Sequence, residues 1–177
     1  MGTAQDLDTL IEAMKIIKDD SEIIFIFAGH GNKLPLIKEV VQKEALKNVF
    51  IYDFLRGEDF QDALNISDVF VVSLEVGLTG LAVPSKTYSY MMAGKPILSI
   101  MSKDADISQD LVDNNAGYSI EVGDVSSLIS AINSIRNNQE KRILMGENAR
   151  KLFMEKYTTE KSTSKYVDMM KEVLEEK

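Results

Sequence analysis

Apolar positions along the chain switch between two periods in a regular way. Leu7, Leu10, Ile11, Met14 and Ile17 recur at helical spacing. Residues 23–28 are then continuously apolar, the pattern of a strand buried on both faces. Gly29-His30-Gly31-Asn32 is a turn, and Leu36, Ile37, Val40, Val41 and Ala45 form the next helical face. The same alternation continues with a strand at residues 49–52, a short helix marked by Phe60, Ala63 and Leu64, and a strand at 69–74. After a loop and a short helix come a strand at 97–101, a helix at 107–114 and a strand at 118–122. Asp124 caps a helix carrying Leu128, Ile129, Ile132 and Ile135, and two more helices, 139–157 and 158–175, follow.

Strands that alternate with helices need crossover connections, so the sheet is parallel. The expected fold is α/β, a Rossmann-like parallel sheet with helices on both faces. No repeat, low-complexity run or Gly/Ser-rich linker divides residues 1–177, which are read as one domain. The last two helices have no strand between them, so they pack on the sheet's flank or against something outside the chain. The charges of the final helix, Lys171, Glu172 and Glu176 among them, read as a solvated face.

Composition narrows the chemistry. The chain has no cysteine and one histidine, which removes thiolate catalysis and Cys-based metal sites and disfavours a His-rich metal site or a Ser-His-Asp triad. A net charge of −8 argues against the basic stripe that nucleic acid needs, so any phosphate contact is local. No apolar run approaches membrane-spanning length and no signal-peptide core is visible, so a cytoplasmic setting is expected.

One segment concentrates polar, cationic and glycine signals: residues 83–96, Val-Pro-Ser-Lys-Thr-Tyr-Ser-Tyr-Met-Met-Ala-Gly-Lys-Pro. Pro84 ends extended structure, Ser85 is a good N-cap and Gly94 is a helix stop. Ser85 and the amides of Lys86 and Thr87 are then free to donate to an anion, with the Lys86 charge beside them. The plainer alternative is a capping Ser85 and a solvated Lys86. Tyr88, Tyr90, Met91 and Met92 read as core.

The order of these pieces resembles the C-terminal, donor-binding half of family 4 glycosyltransferases of the two-domain GT-B type, in particular those of bacterial surface polysaccharides. Gly2 with residues 6–13 resembles the start of that domain's first helix. Phe27-Ala28-Gly29-His30-Gly31 resembles its AG-x-G turn, and Leu64 with Ser67-Asp68-Val69 its L…ADV junction. Pro84-Ser85-Lys86 and Tyr90-Met91 through Ala93-Gly94-Lys95-Pro96 resemble its PSK…EYMA-GKP segment. Asn115-Ala116-Gly117 and Gly123-Asp124 match its late turns.

The resemblance implies a sheet order of 3-2-1-4-5-6, whose first strand would precede Met1. The expectation is therefore a fragment of a two-domain enzyme lacking that central strand, the Arg- and Lys-bearing loop and the acceptor domain. The missing strand should leave a slot, filled by a partner segment or closed over by its neighbours; a first strand within residues 1–8 would refute this. Gly29 and Gly31 would let backbone approach the nucleotide, with Lys33 and Asn32 near ribose or phosphate. Phe54, with Asp53 and Leu55, would wall the base, and Glu75, before the Gly77-Leu78-Thr79-Gly80 loop, would accept from sugar hydroxyls. Ser85, Lys86 and Thr87 would clamp the leaving diphosphate. The chain departs from the family where two glutamates separated by seven residues are usual, having Leu81 and Ser89 instead. Ser89 is left one neutral hydrogen bond to ribose. His30 matches a polar, non-catalytic position.

The implied function is donor binding in a retaining transferase using a nucleotide sugar, UDP-sugar foremost, with no cofactor and no metal. The isolated chain should bind nucleotide weakly and transfer little sugar. Its partners would be the nucleotide sugar and an N-terminal acceptor domain, reached by the final helix, with no nucleic acid and no direct membrane segment. The full enzyme could sit peripherally at the inner membrane. Two alternatives stay open: a non-catalytic doubly wound assembly module, and a nucleotide-sugar epimerase-like domain, against which the scarcity of cleft carboxylates and histidine argues.

Overall fold

A computed structural model describes residues 1–175. Helix α1 (Asp8–Ile16) leads to β1 (Phe25–Ala28), α2 (Leu34–Lys43) and β2 (Val49–Tyr52). Helix α3 (Gly57–Ile66) crosses to β3 (Phe70–Ser73), and α4 (Lys86–Met92) joins it to β4 (Ile97–Ile100). Then come α5 (Asp106–Asp113), β5 (Gly117–Ile120), α6 (Val125–Arg136) and α7 (Gln139–Leu152). A π-helical turn, Phe153–Tyr157, leads into α8 (Thr159–Glu175).

Every strand pairing is parallel. The strands form two sheets, β1-β2 and β3-β4-β5, and β1 and β3 are not paired with each other. Phe25 and Gly29 N–H groups donate to Asn48 and Tyr52 carbonyls, so the backbone groups of Ile26 and Ala28 point away from β2. Phe70 and Leu74 donate to Pro96 and Ile100, which likewise turns Val71 and Ser73 away from β4. No strand forms within residues 1–8; those residues cross the carboxyl ends of the two open edges instead. The Met1 amine donates to the His30 carbonyl beyond β1 at 2.9 Å, and Glu75 N–H beyond β3 donates to the Ala4 carbonyl at 2.9 Å. Between these two contacts the segment is folded by a turn, in which the Gln5 N–H donates to the Gly2 carbonyl at 3.3 Å. Strands β1 and β3 therefore remain two unpaired edges, and no backbone ladder closes the slot expected between them.

One core layer joins α1, α2 and α6 to the sheet through Leu10, Met14, Ile37, Leu98, Ile100, Leu128 and Ile135. The other joins α4, α5 and α7 through Met91, Ile97, Met101, Leu111, Ala149 and Leu152. Strand β4 is buried at all four residues. Strand β1 corrects the expectation of burial on both faces: it starts at Phe25 and alternates, with Phe27 buried and Ile26 44 % exposed. Phe50 and Tyr52 on β2 are also about half exposed, so one face of the β1-β2 pair carries little cover.

Helix α7 packs on α4 and α6, while α8 meets the π-helical turn. Along α8, Tyr166, Met169, Met170, Val173 and Leu174 are exposed. Lys171 and Glu172 are solvated as expected; Glu176 lies outside the described residues.

Candidate functional site at the carboxyl ends of β1 and β3

The loops after β1 and β3 meet over the end of the gap. Lys33, at the N-cap of α2, reaches across it: its ammonium donates to the Glu75 carboxylate and, at 2.5 Å, to the Gln5 carbonyl. Lys33 N–H also holds the Met1 carbonyl at 3.2 Å. Lys86, at the first turn of α4, comes close enough for its charge to act on the Met1 amine. Burial first, and Lys86 second, pull that amine below its ordinary value. Lys33 and Glu75 meet although 42 residues separate them in sequence, and Lys86, 11 residues beyond Glu75, is exposed at the start of α4 within electrostatic range of Met1.

The glycines behave differently from one another. Gly31, at φ +145°, has no room for a Cβ, which would stand 2.1 Å from the Met1 carbonyl oxygen. Its lack of a side chain leaves room for the Met1 backbone. Gly29, at φ +115°, has Phe54 at 3.9 Å from a notional Cβ and donates to the Tyr52 carbonyl. The Phe54 ring is largely exposed, with the His30 ring 5.6 Å away and the Arg56 guanidinium 5.3 Å over it. Arg56 went unnoticed in the sequence; its place two residues beyond Phe54 at a strand end was the available signal.

The start of α4 corrects the expected capping. Ser85 has helical dihedrals, φ −55° and ψ −24°, and makes no side-chain cap. Thr87 closes the turn instead: its hydroxyl donates to the Pro84 carbonyl at 2.6 Å and its N–H to the same oxygen at 2.9 Å. Thr87 is fully buried, so neither group is offered to a ligand here, whereas Ser85 and Lys86 are exposed. Ser89 is half-buried further along α4, and Leu81 is exposed in the preceding loop.

The arrangement offers two ammonium groups, an aromatic wall with an Arg on it and one carboxylate, a donor and acceptor set suited to a phosphorylated, hydroxyl-rich ligand. The hollow of about 350 Å³ along α8, lined by Met169, Met170, Val173 and Leu174, offers no polar group to orient such a ligand.

Residues 1–152 match the family described as Glycosyl transferases group 1. The chain is 30 % identical over 135 residues to the probable glycosyltransferase WbjE of Pseudomonas aeruginosa, covering 76 % of this chain and 34 % of that protein. It is 26 % identical over 171 residues to the poly(ribitol-phosphate) alpha-N-acetylglucosaminyltransferase of Staphylococcus aureus (strain COL), covering 96 % and 33 %. The chain thus spans about a third of the length of these relatives. A crystal structure of a mutant S. aureus TarM in complex with Fondaparinux, alpha-GlcNAc-glycerol and UDP superposes with TM-score 0.78 at 25 % identity, over 95 % of this chain and 33 % of that one. The α/β fold, parallel sheets flanked by helices, is that of its GT-B neighbours.

Proposed function

The chain belongs to the group 1 glycosyl transferases, and from that premise we propose that it is the donor-binding, C-terminal half of a family 4 enzyme that glycosylates a bacterial surface polysaccharide. The observation that supports this is the meeting of Lys33 and Glu75 over the carboxyl ends of β1 and β3, with Lys86 exposed at the start of α4, the helix that follows β3. Ligands of open α/β sheets bind in that position. In the proposed mechanism Lys33 and Lys86 neutralise the charge that grows on the departing diphosphate. Ser85 adds a neutral donor, Phe54 with Arg56 walls the base, and Glu75 accepts from sugar hydroxyls. Ser89 supplies the ribose contact in place of a carboxylate. The proposed donor is a UDP-sugar, transferred with retention and without a resident metal or cofactor.

The open edges of β1 and β3 support a further part of the proposal: in the complete enzyme another strand lies between them. The apolar stripe on α8 is then the surface that meets the acceptor domain. Neither is needed for nucleotide to reach Lys33 and Lys86, so the chain alone should bind nucleotide and transfer little sugar.

A thermal-shift panel of UDP, GDP, CMP and ADP tests the proposal, with Lys86→Ala as control. A ligand at a hundred times its Kd adds about 2.7 kcal/mol, or roughly 5 °C or more for a domain of this size. The expected result is the largest shift with UDP and its loss in Lys86→Ala. No shift with any nucleotide would overturn the donor-site assignment and favour an assembly module.

A further inference from the structure

We propose that Tyr157, held by Asp110, is a positioning residue that fixes helix α4, and with it the Lys86 ammonium, for a diphosphate ligand; this rests on the donor-site reading above. Helix α4 is seven residues long. So short a helix has little stability of its own, and its orientation is set by what packs against it. Lys86 and Tyr88 are two residues apart, about 200° around the helix axis. They leave α4 on opposite sides. The charge of Lys86 acts on the Met1 amine, and the Tyr88 ring lies 5.0 Å from the Tyr157 ring, tilted by 47°. Tyr157 therefore stands behind the turn that carries Lys86.

The Tyr157 ring is itself anchored. Its hydroxyl donates to the Asp110 carboxylate, and the Lys156 ammonium donates to both Asp110 oxygens at 2.6 Å. Asp110 is on α5, which is fixed by buried Ile107, Ser108 and Leu111. The π-helical turn Phe153–Tyr157 brings Lys156 and Tyr157 to this carboxylate together. Other contacts hold other parts of α4. Tyr90 stacks on Phe70 of β3 at 4.0 Å, and Gly146 of α7 lies against Gly94 just past the helix end. On the Lys86 turn Thr87 is buried and closes on Pro84 from within, Tyr157 braces Tyr88 from the other side, and the Tyr157 hydroxyl connects that brace to α5.

Tyr157→Phe keeps the ring and removes the anchor. The test measures UDP and uridine affinities of the purified chain by calorimetry, and hydrogen exchange of residues 86–92. Expected for Tyr157→Phe is a loss of the preference for UDP over uridine by about fivefold or more, with faster exchange in α4 and unchanged exchange in β4. Asp110→Asn should move both readouts in the same direction. Lys86→Ala should lose the preference without loosening α4. A folded Tyr157→Phe chain with the wild-type UDP-to-uridine ratio overturns the inference, even if α4 exchanges faster, because the hydroxyl would then be a stability element only. A wild-type chain with no preference for UDP overturns the donor-site reading instead, and the inference with it.

Discussion

The Lys33 ammonium and the Glu75 carboxylate meet across the open gap between β1 and β3, tying together the two sheets that share no backbone ladder. The Lys33 side chain is mostly buried and that of Glu75 about one-third exposed, so the pair is partly screened. Breaking it should cost about 0.5–1 kcal/mol, near the upper end for such pairs. Glu75→Gln separates two roles. If Glu75 only balances Lys33, its neutralisation frees the ammonium and UDP binds more tightly. In the proposed donor site, UDP alone gains affinity while a UDP-sugar loses it, because the carboxylate also receives the sugar hydroxyls. Calorimetry with UDP and with UDP-N-acetylglucosamine checks this. Equal gains for both ligands would remove Glu75 from the sugar site.

Gly146 lies inside α7, where Ala normally stabilises a helix by about 1 kcal/mol over Gly. Here a Cβ would stand 2.2 Å from the Gly94 carbonyl oxygen. That oxygen is backbone, at a helix end where Gly94 has φ +70°, and cannot move aside cheaply. Gly146→Ala should therefore destabilise by about 1–3 kcal/mol through overpacking. At this chain length that lowers Tm by roughly 2–4 °C per kcal/mol. A scanning calorimetry Tm equal to or above wild type would show that α7 can slide off α4.

Local sequence carried the layout and lost the details wherever distant chain decides. Strand β1 has the more continuous apolar signal, since Ser99 interrupts β4, yet β4 is wholly buried and β1 is not. What differs is the neighbour: β4 has strands on both sides, whereas β1 has one open edge. Ser85 has the chemistry of a cap, but its dihedrals are helical, and the hydroxyl that closes the turn belongs to Thr87. The meeting of Lys33 with Glu75 and of Tyr157 with Asp110 has no local signature, since 42 and 47 residues separate the partners. Gly31 was legible as a position for close approach; that the approaching group is Met1 was not.

The open edges predict an alternation in amide exchange. Phe25 and Gly29, which donate to β2, and Phe70 and Leu74, which donate to β4, should be protected. Ile26, Ala28, Val71 and Ser73 point into the gap and should exchange much faster at each step along the strand. Residue-resolved hydrogen exchange by NMR reads this directly. In a longer protein in which a strand occupies the gap, the same four amides should become protected while the first four change little. Uniform protection along β1 in the present chain would mean that the two sheets close on each other in solution.

Tyr157 also predicts how stability falls in alkali. Burial first, and the Asp110 hydrogen bond second, raise its phenol well above the ordinary tyrosine value, with further contributions from Asp110, Tyr88 and Asp106 charges. In the unfolded chain the phenol ionises near pH 10. Below that pH both states hold the proton and the contribution is fully present. As pH rises further, the unfolded chain releases a proton that the folded chain keeps, so stability declines. The slope from one such group is at most about 1.4 kcal/mol per pH unit, and less for a partly exposed ring. Tyr88 and Tyr90, both raised by burial, add in the same direction. Tyr157→Phe should start less stable at pH 8 and lose stability more slowly between pH 10 and 11.5, measured by urea unfolding at a series of pH values. Parallel wild-type and variant curves would show that Asp110 does not hold the Tyr157 proton.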